Sequence, residues 1–145
     1  MSLVSVPNIF LYSLPVAAFW VYLPYLVVAS ARVKLAQSMD DPMEAFSRPR
    51  FYTDKLPDYA QRANWAHQNS FESLILYAPA ALMAYVTDQT TMAALLAVIA
   101  YLIGRLFFSV FYILNVAPLR SLMFGIGSIS IFSLYLMSCK TIWLQ

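Results

Sequence analysis

The segment 62–72, RANWAHQNSFE, places charged and amide side chains inside an apolar stretch long enough to cross a membrane. Arg62, Trp65, Asn69 and Glu72 follow one another at steps of three, four and three residues, so a helix places them on one stripe. Polar groups are costly in lipid, and this stripe must therefore meet partners within the protein. No other feature of the sequence constrains the fold as strongly.

The rest of the chain has the composition of a membrane protein. Its 145 residues are 61% hydrophobic and only 11% charged, and the mean hydropathy is +0.67. Apolar segments predict four helical spans, at residues 9–31, 60–86, 91–114 and 118–140. We therefore expect an all-α integral membrane four-helix bundle, formed by the single domain 1–145.

The charges predict the orientation of the bundle. The segment 32–59 is the one long polar connection, and it holds five of the nine basic residues. Because basic loops stay on the cytoplasmic side, we expect this loop in the cytoplasm and both termini on the opposite side. The membrane is expected to be a bacterial inner membrane or an endomembrane. The basic residues do not form an aromatic-interleaved patch, so no nucleic-acid partner is expected.

Depth in the membrane predicts a buried pair of charges. Glu72 lies about nine residues from the start of its span and Arg105 about nine from the end of the next, which is roughly 14 Å of helix in each case. Two opposite charges at one depth on antiparallel helices are expected to pair, because either one alone in hydrocarbon is costly. A structural Glu72–Arg105 pair is the preferred interpretation of these two residues.

Polar residues of three spans converge near the cytoplasmic end. Such a cluster could bind a small anionic molecule, with Arg120 stabilising a thiolate or an oxyanion. A purely structural network is the alternative, and for Arg120 and Ser121 a snorkelling side chain and a helix cap are equally simple interpretations. His67 is the only histidine, so no metal site is expected. The cluster comprises Arg62, Gln68, Asn69, Glu72, Arg105, Tyr112, Arg120 and Ser121.

These residues resemble the MAPEG family, the membrane-associated proteins in eicosanoid and glutathione metabolism. The resemblance is carried by RANWAHQNSFE, the Gly104-Arg105 pair, Tyr112 and APLRS at 117–121. DPMEA at 41–45 is similar to the loop of the microsomal prostaglandin E synthase branch, and the pattern as a whole is closest to the microsomal glutathione transferase and prostaglandin E synthase type.

The resemblance implies a homotrimer that binds glutathione between subunits near the cytoplasmic face. It implies a glutathione-dependent transferase or peroxidase that acts on lipophilic electrophiles or lipid hydroperoxides reaching it from membrane lipid. Arg120 would be the catalytic residue that activates the thiol. The implied glutathione-binding residues are Asn69, Glu72, Tyr112, Arg120 and Ser121.

The chain departs from the family pattern at three positions. Trp65 and Gln68 stand where glutathione-binding members have arginines, and Phe124 stands where they have a tyrosine. Two guanidinium groups that would hold the carboxylates of glutathione are thus absent from this helix, although Arg32 or Lys34 could supply one replacement charge. The alternative function is a non-catalytic lipid-binding or scaffolding trimer of the same family.

Overall fold

The computed structural model describes residues 6–144, and four long helices account for most of them. They are α1 (Val6–Gln37), α3 (Asp58–Val86), α4 (Met92–Ile113) and α5 (Ala117–Trp143). The connection between α1 and α3 contains a short helix α2 (Glu44–Ser47) and a 3-10 turn (Thr53–Lys55). Within the described range no strand forms, and the all-α prediction is confirmed.

Helix α1 is longer than the span predicted for it. It continues to Gln37, six residues past the expected end at Ala31, because no glycine or proline interrupts the polar segment that follows. Its proline rings at 15 and 24 both lie within the helix. The ring of Pro24 is buried, and the imidazole Nδ1 of His67 contacts the Val21 carbonyl oxygen in the same turn at 2.8 Å. A proline opens a helical turn locally, and this contact ties α1 to α3 there.

Three of the four long helices are long and apolar enough to cross a membrane, namely α1, α4 and α5. Helix α3 has 29 residues, about 43 Å of rise, but its polar stripe makes it the least apolar of the four. Large apolar side chains such as Leu26, Ile129 and Phe132 are exposed along the bundle, which is the arrangement expected when lipid surrounds it. The chain is thus an integral membrane protein, and a crossing by α3 remains a prediction.

Helix α1 packs chiefly against α3, and α4 packs chiefly against α5. The main core lies towards the α3–α4 turn, where alanines of α3 and α4 allow close approach of the helices around a stacked pair of tyrosines. The rings of Tyr77 and Tyr101 lie 3.6 Å apart and nearly parallel. A second, smaller core joins α1 to the start of α3 through Val28, Leu56 and Ala60. The second core lies at the bundle end where α4 finishes, because Ile113 packs against it.

Candidate functional site

A tight turn brings the polar residues at the end of α4 and the start of α5 together. Asn115 adopts a left-handed conformation (φ 60°) at the end of α4, and the Val116 amide donates to the Phe111 carbonyl at 2.9 Å. This closes the helix and reverses the chain within three residues. Pro118 then lies in the first turn of α5, and Arg120 follows two residues later in the same turn. Arg120 is therefore held beside the last turns of α4.

Arg62 secures the same end of α4 from the neighbouring helix. Its Nε donates to the Ile113 carbonyl at 3.0 Å, across 51 residues of sequence. The last carbonyls of a helix lack intrahelical partners and carry partial negative charge, so a guanidinium stabilises them. Arg62, expected in the polar cluster, thus has a structural role in fixing α3 against α4.

Four of the predicted binding residues line one cleft. This cleft has a volume of about 260 Å³ and lies at the bundle end that carries the α1–α3 connection. The Arg120 guanidinium lies over the Tyr112 ring, 4.6 Å from its centroid. A cation on an aromatic face is held in place while its N–H groups remain able to donate. The lining residues are Asn69, Phe108, Tyr112, Arg120, Ser121 and Phe124.

Glu72 lies in a second, adjoining cleft of about 170 Å³. Asn69 and Phe124 line both clefts, so Glu72 is within one helical turn of the first group on α3. Its side chain is exposed on the surface of the chain. A carboxylate at this position gives the combined clefts one negative and one positive end.

Arg105, predicted to pair with Glu72, directs its side-chain hydrogen bonds to two other residues of α3 in the described chain. Arg105 is buried, with 4% of its surface exposed, and its Nη2 donates to Asn69 Oδ1 at 3.0 Å and to Ser70 Oγ at 3.2 Å. Its guanidinium also lies 4.3 Å from the centroid of the Phe108 ring. The prediction from equal depth placed Arg105 beside the turn of α3 that contains Asn69 and Glu72, and Arg105 does contact this turn. Equal depth could not determine the rotation of α3, which turns Asn69 and Ser70 inward and Glu72 outward.

Trp65 and Gln68 line a separate cleft of about 600 Å³ between α1, α3 and the connection. Arg32 and Arg50 line it too, so two guanidiniums stand near the positions where family members have arginines on α3. Arg32 is nine-tenths buried and donates to the Pro49 carbonyl at 3.3 Å, whereas Lys34 is exposed. Of the two candidate replacement charges, Arg32 is the one that reaches this cleft. The contribution of Arg50 was not visible in the sequence, because it depends on how the connection folds back.

Sequence reasoning also missed Ser70, which follows Asn69 directly and shares its contact with Arg105. A helical wheel places these neighbours about 100° apart, so only the observed rotation shows that one guanidinium reaches both. Across residues 6–144, no group of three or more His, Cys, Asp and Glu side chains could hold a metal ion.

Comparison with known proteins gives one match. The family model described as "MAPEG family" matches residues 10–139, which is most of the chain. No curated protein matches the sequence, and no solved structure matches the fold. The matched range includes all the residues that line the three clefts described above.

Proposed function

Because this chain belongs to the MAPEG family, we propose that it is a membrane-bound glutathione-dependent transferase or peroxidase that acts on lipophilic electrophiles or lipid hydroperoxides. The observation that carries the proposal is the single cleft lined by Asn69, Tyr112, Arg120 and Ser121. These residues come from three helices, and Asn69 is distant in the sequence from the other three. Together they offer a guanidinium, two hydroxyls and an amide to one ligand.

The donor set suits an anionic thiol. Arg120 is the group that would stabilise a thiolate, because a guanidinium stays protonated and lowers the pKa of a nearby thiol. Ser121, one residue on, adds a hydroxyl donor, and the Tyr112 ring holds the guanidinium from behind. Bound glutathione would supply the nucleophilic sulfur that forms a C–S bond as the leaving group departs.

The apolar walls of the site support the proposed class of second substrate. Phe108 and Phe124 supply apolar walls, and the 170 Å³ cleft adds Leu76 and Ile131 next to Glu72. A lipophilic molecule dissolved in the bilayer could reach these walls without crossing water. We accordingly propose membrane lipid and lipophilic small molecules as partners.

Conjugation of glutathione to 1-chloro-2,4-dinitrobenzene tests the activity, and reduction of a lipid hydroperoxide tests the peroxidase form. Arg120→Ala should lower turnover by about 100-fold or more, as loss of a donor to a developing anion does. The matched control is Arg48→Ala, which removes an exposed arginine of the connection. Unchanged turnover in Arg120→Ala would exclude this mechanism.

A second candidate is a non-catalytic lipid-binding or scaffolding protein. The exposed Trp65 and Gln68 favour it, since these side chains cannot hold carboxylates as arginines do, and so does Phe124 in the cleft. Thermal unfolding with millimolar glutathione separates the candidates, because a ligand that binds the folded state raises its unfolding temperature. A flat titration would favour the scaffold.

We also propose that the protein is a homotrimer. The α3 surface bearing Trp65, Gln68 and Glu72 is exposed on the isolated chain. In the span that we propose for α3, an unpartnered carboxylate would be costly. A second copy could cover this surface and bring its 600 Å³ cleft next to the 260 Å³ cleft of the first. Native mass spectrometry from detergent or nanodiscs would give the subunit number.

A further inference from the structure

Arg105 is a buried charge that does not line the proposed site. Its guanidinium is fixed by Asn69, Ser70 and the Phe108 ring, and two of these, Asn69 and Phe108, line the 260 Å³ cleft. Arg105 itself lines none of the clefts described above. Contact between Arg105 and a ligand in these clefts is therefore indirect, through the residues that Arg105 holds.

The contact with Asn69 determines which end of the amide the ligand meets. A guanidinium has five donors and no acceptor, so the atom of Asn69 that faces it must be the oxygen. Oδ1 accepts from Arg105 at 3.0 Å, and Nδ2 has no hydrogen-bond partner among residues 6–144. Since Asn69 lines both adjoining clefts, its two N–H donors remain for a ligand acceptor.

Arg105 also begins a stack that ends at Arg120. Its guanidinium lies on Phe108, whose ring meets that of Tyr112 edge-on at 5.4 Å. Tyr112 in turn carries the Arg120 guanidinium at 4.6 Å. A displacement of Arg105 would shift two walls of the cleft as well as the Asn69 amide.

Space for the Arg105 side chain is provided by a glycine on another helix. A Cβ at Gly127 of α5 would lie 3.3 Å from Arg105 Cδ, which is tighter than ordinary van der Waals contact. A Cβ at Gly125, on the same helix, would meet nothing within 4 Å. Gly127 is buried and lines none of the clefts described above. Its role is therefore to leave space for the Arg105 side chain, because glycine has no Cβ.

We propose that Arg105 is a positioning residue that turns the Asn69 amide so that its N–H groups face the ligand, and that Gly127 provides the space this requires. The inference rests on the proposed function in taking the ligand to be glutathione. The group that Asn69 would recognise is an acceptor, either a carboxylate or a peptide carbonyl of that ligand.

Asn69→Asp tests the orientation of the amide. Aspartate keeps the oxygen that accepts from Arg105 but replaces the donor with a second acceptor. The variant should unfold at the wild-type temperature or above it, while glutathione affinity measured by calorimetry falls about tenfold, since hydrogen bonds to charged groups are among the stronger ones. Wild-type affinity in Asn69→Asp would overturn the assignment.

A double-mutant cycle tests the route from Arg105 to the ligand. Arg105→Lys keeps the charge but loses the planar fork, so KM for glutathione should rise several-fold, with kcat changed by less than about twofold. In an Asn69→Ala background the same change should have much less effect. Equal effects in both backgrounds would show that Arg105 does not act through Asn69.

The two glycines of α5 give a matched pair of variants. Gly127→Ala should raise KM for glutathione about threefold, because the added methyl displaces the Arg105 stem, whereas Gly125→Ala should leave KM unchanged. The same KM in both variants would overturn the role of Gly127.

If the proposed function is wrong, the wild-type protein will neither bind nor consume glutathione. That result is distinct from a failure of the Arg105–Asn69 inference. The positioning contact is then judged from unfolding temperatures of Arg105→Met, Asn69→Leu and the double variant in detergent. Coupled residues should give a double variant less destabilised than the sum of the singles. Additive losses would show that Arg105 does not hold Asn69.

Discussion

At the scale of single residues, the side-chain hydrogen bonds inside this bundle join polar groups mainly to neutral partners. Arg105 bonds to an amide and a hydroxyl, and Tyr77 donates to Ser13 Oγ at 2.6 Å. Ser13 in turn donates to the Phe10 carbonyl at the same distance. Each bond avoids leaving a polar group unpaired in an apolar interior, which costs more than the bond itself contributes. These hydrogen bonds fix the positions of the side chains that form them.

Tyr77→Phe tests one such bond. It removes the donor to Ser13 while keeping the stack on Tyr101, so we expect a loss of about 1 kcal/mol in the free energy of unfolding. The comparison is Tyr85→Phe, at an exposed position of the same helix. Unfolding in detergent followed by circular dichroism gives both values, and equal stability of the two variants would contradict the prediction.

At the scale of elements, the two turns that join α3 to α4 and α4 to α5 follow one design. In each, a residue other than glycine adopts a left-handed conformation after the helix, Asp88 at φ 51° and Asn115 at φ 60°. In each, the next amide reaches back to a carbonyl of the last turn, Gln89 to Ala84 and Val116 to Phe111. Asp and Asn tolerate this conformation better than most residues. Such short turns keep consecutive helices antiparallel and adjacent, which places Arg120 beside Tyr112.

Asn115 offers a test of the turn that positions Arg120. Asn115→Val should destabilise the protein by roughly 1–2 kcal/mol, because a β-branched residue is strained at positive φ, and should weaken glutathione binding by disturbing Arg120. Asn115→Gly should retain both properties, since glycine adopts this conformation without strain. Thermal unfolding and calorimetry measure the two effects. A valine variant as stable as the glycine variant would show that the turn is not constrained in this way.

At the scale of the whole molecule, one exposed surface of α3 bears on the proposed assembly. Its exposed Trp65, Gln68 and Glu72 lie between the 600 Å³ cleft on one side and the smaller clefts on the other. The carboxylate of Glu72 is the costliest of these groups to leave facing lipid. Association of subunits through this surface would remove that cost.

Glu72→Leu tests this association. If the surface is covered by a neighbouring subunit that pairs with the carboxylate, the variant should dissociate at lower detergent concentration than the wild type, because the group that faces Glu72 is left unpaired. Leu82→Ala, an exposed position farther along the same helix, is the control. Native mass spectrometry across a detergent series gives the midpoints. Tighter association of Glu72→Leu would argue against a polar contact at this position.

Thiol labelling tests whether α3 crosses the membrane. In a Cys139→Ser background, Ser47→Cys in α2 and Thr90→Cys in the α3–α4 turn place single exposed thiols at the two ends of α3. We expect an impermeant maleimide to label Ser47→Cys only from the cytoplasmic side and Thr90→Cys only from the other. Labelling of both from one side would show that α3 does not span.

The sequence alone determined the helical class, the membrane location and the set of polar residues near one end of the bundle, because hydropathy, helical periodicity and short turns depend on local composition. It also identified Asn69, Tyr112, Arg120 and Ser121, which the structure brings to one cleft. The tertiary structure decided the rotation of α3 about its axis, and hence that Arg105 bonds to Asn69 and Ser70 while Glu72 faces outward. It also decided that Arg50 joins Arg32 beside Trp65 and that Gly127 leaves a path for Arg105. These features depend on packing between residues that are distant in the sequence. The residue pattern of one helix does not determine how that helix packs against its neighbours.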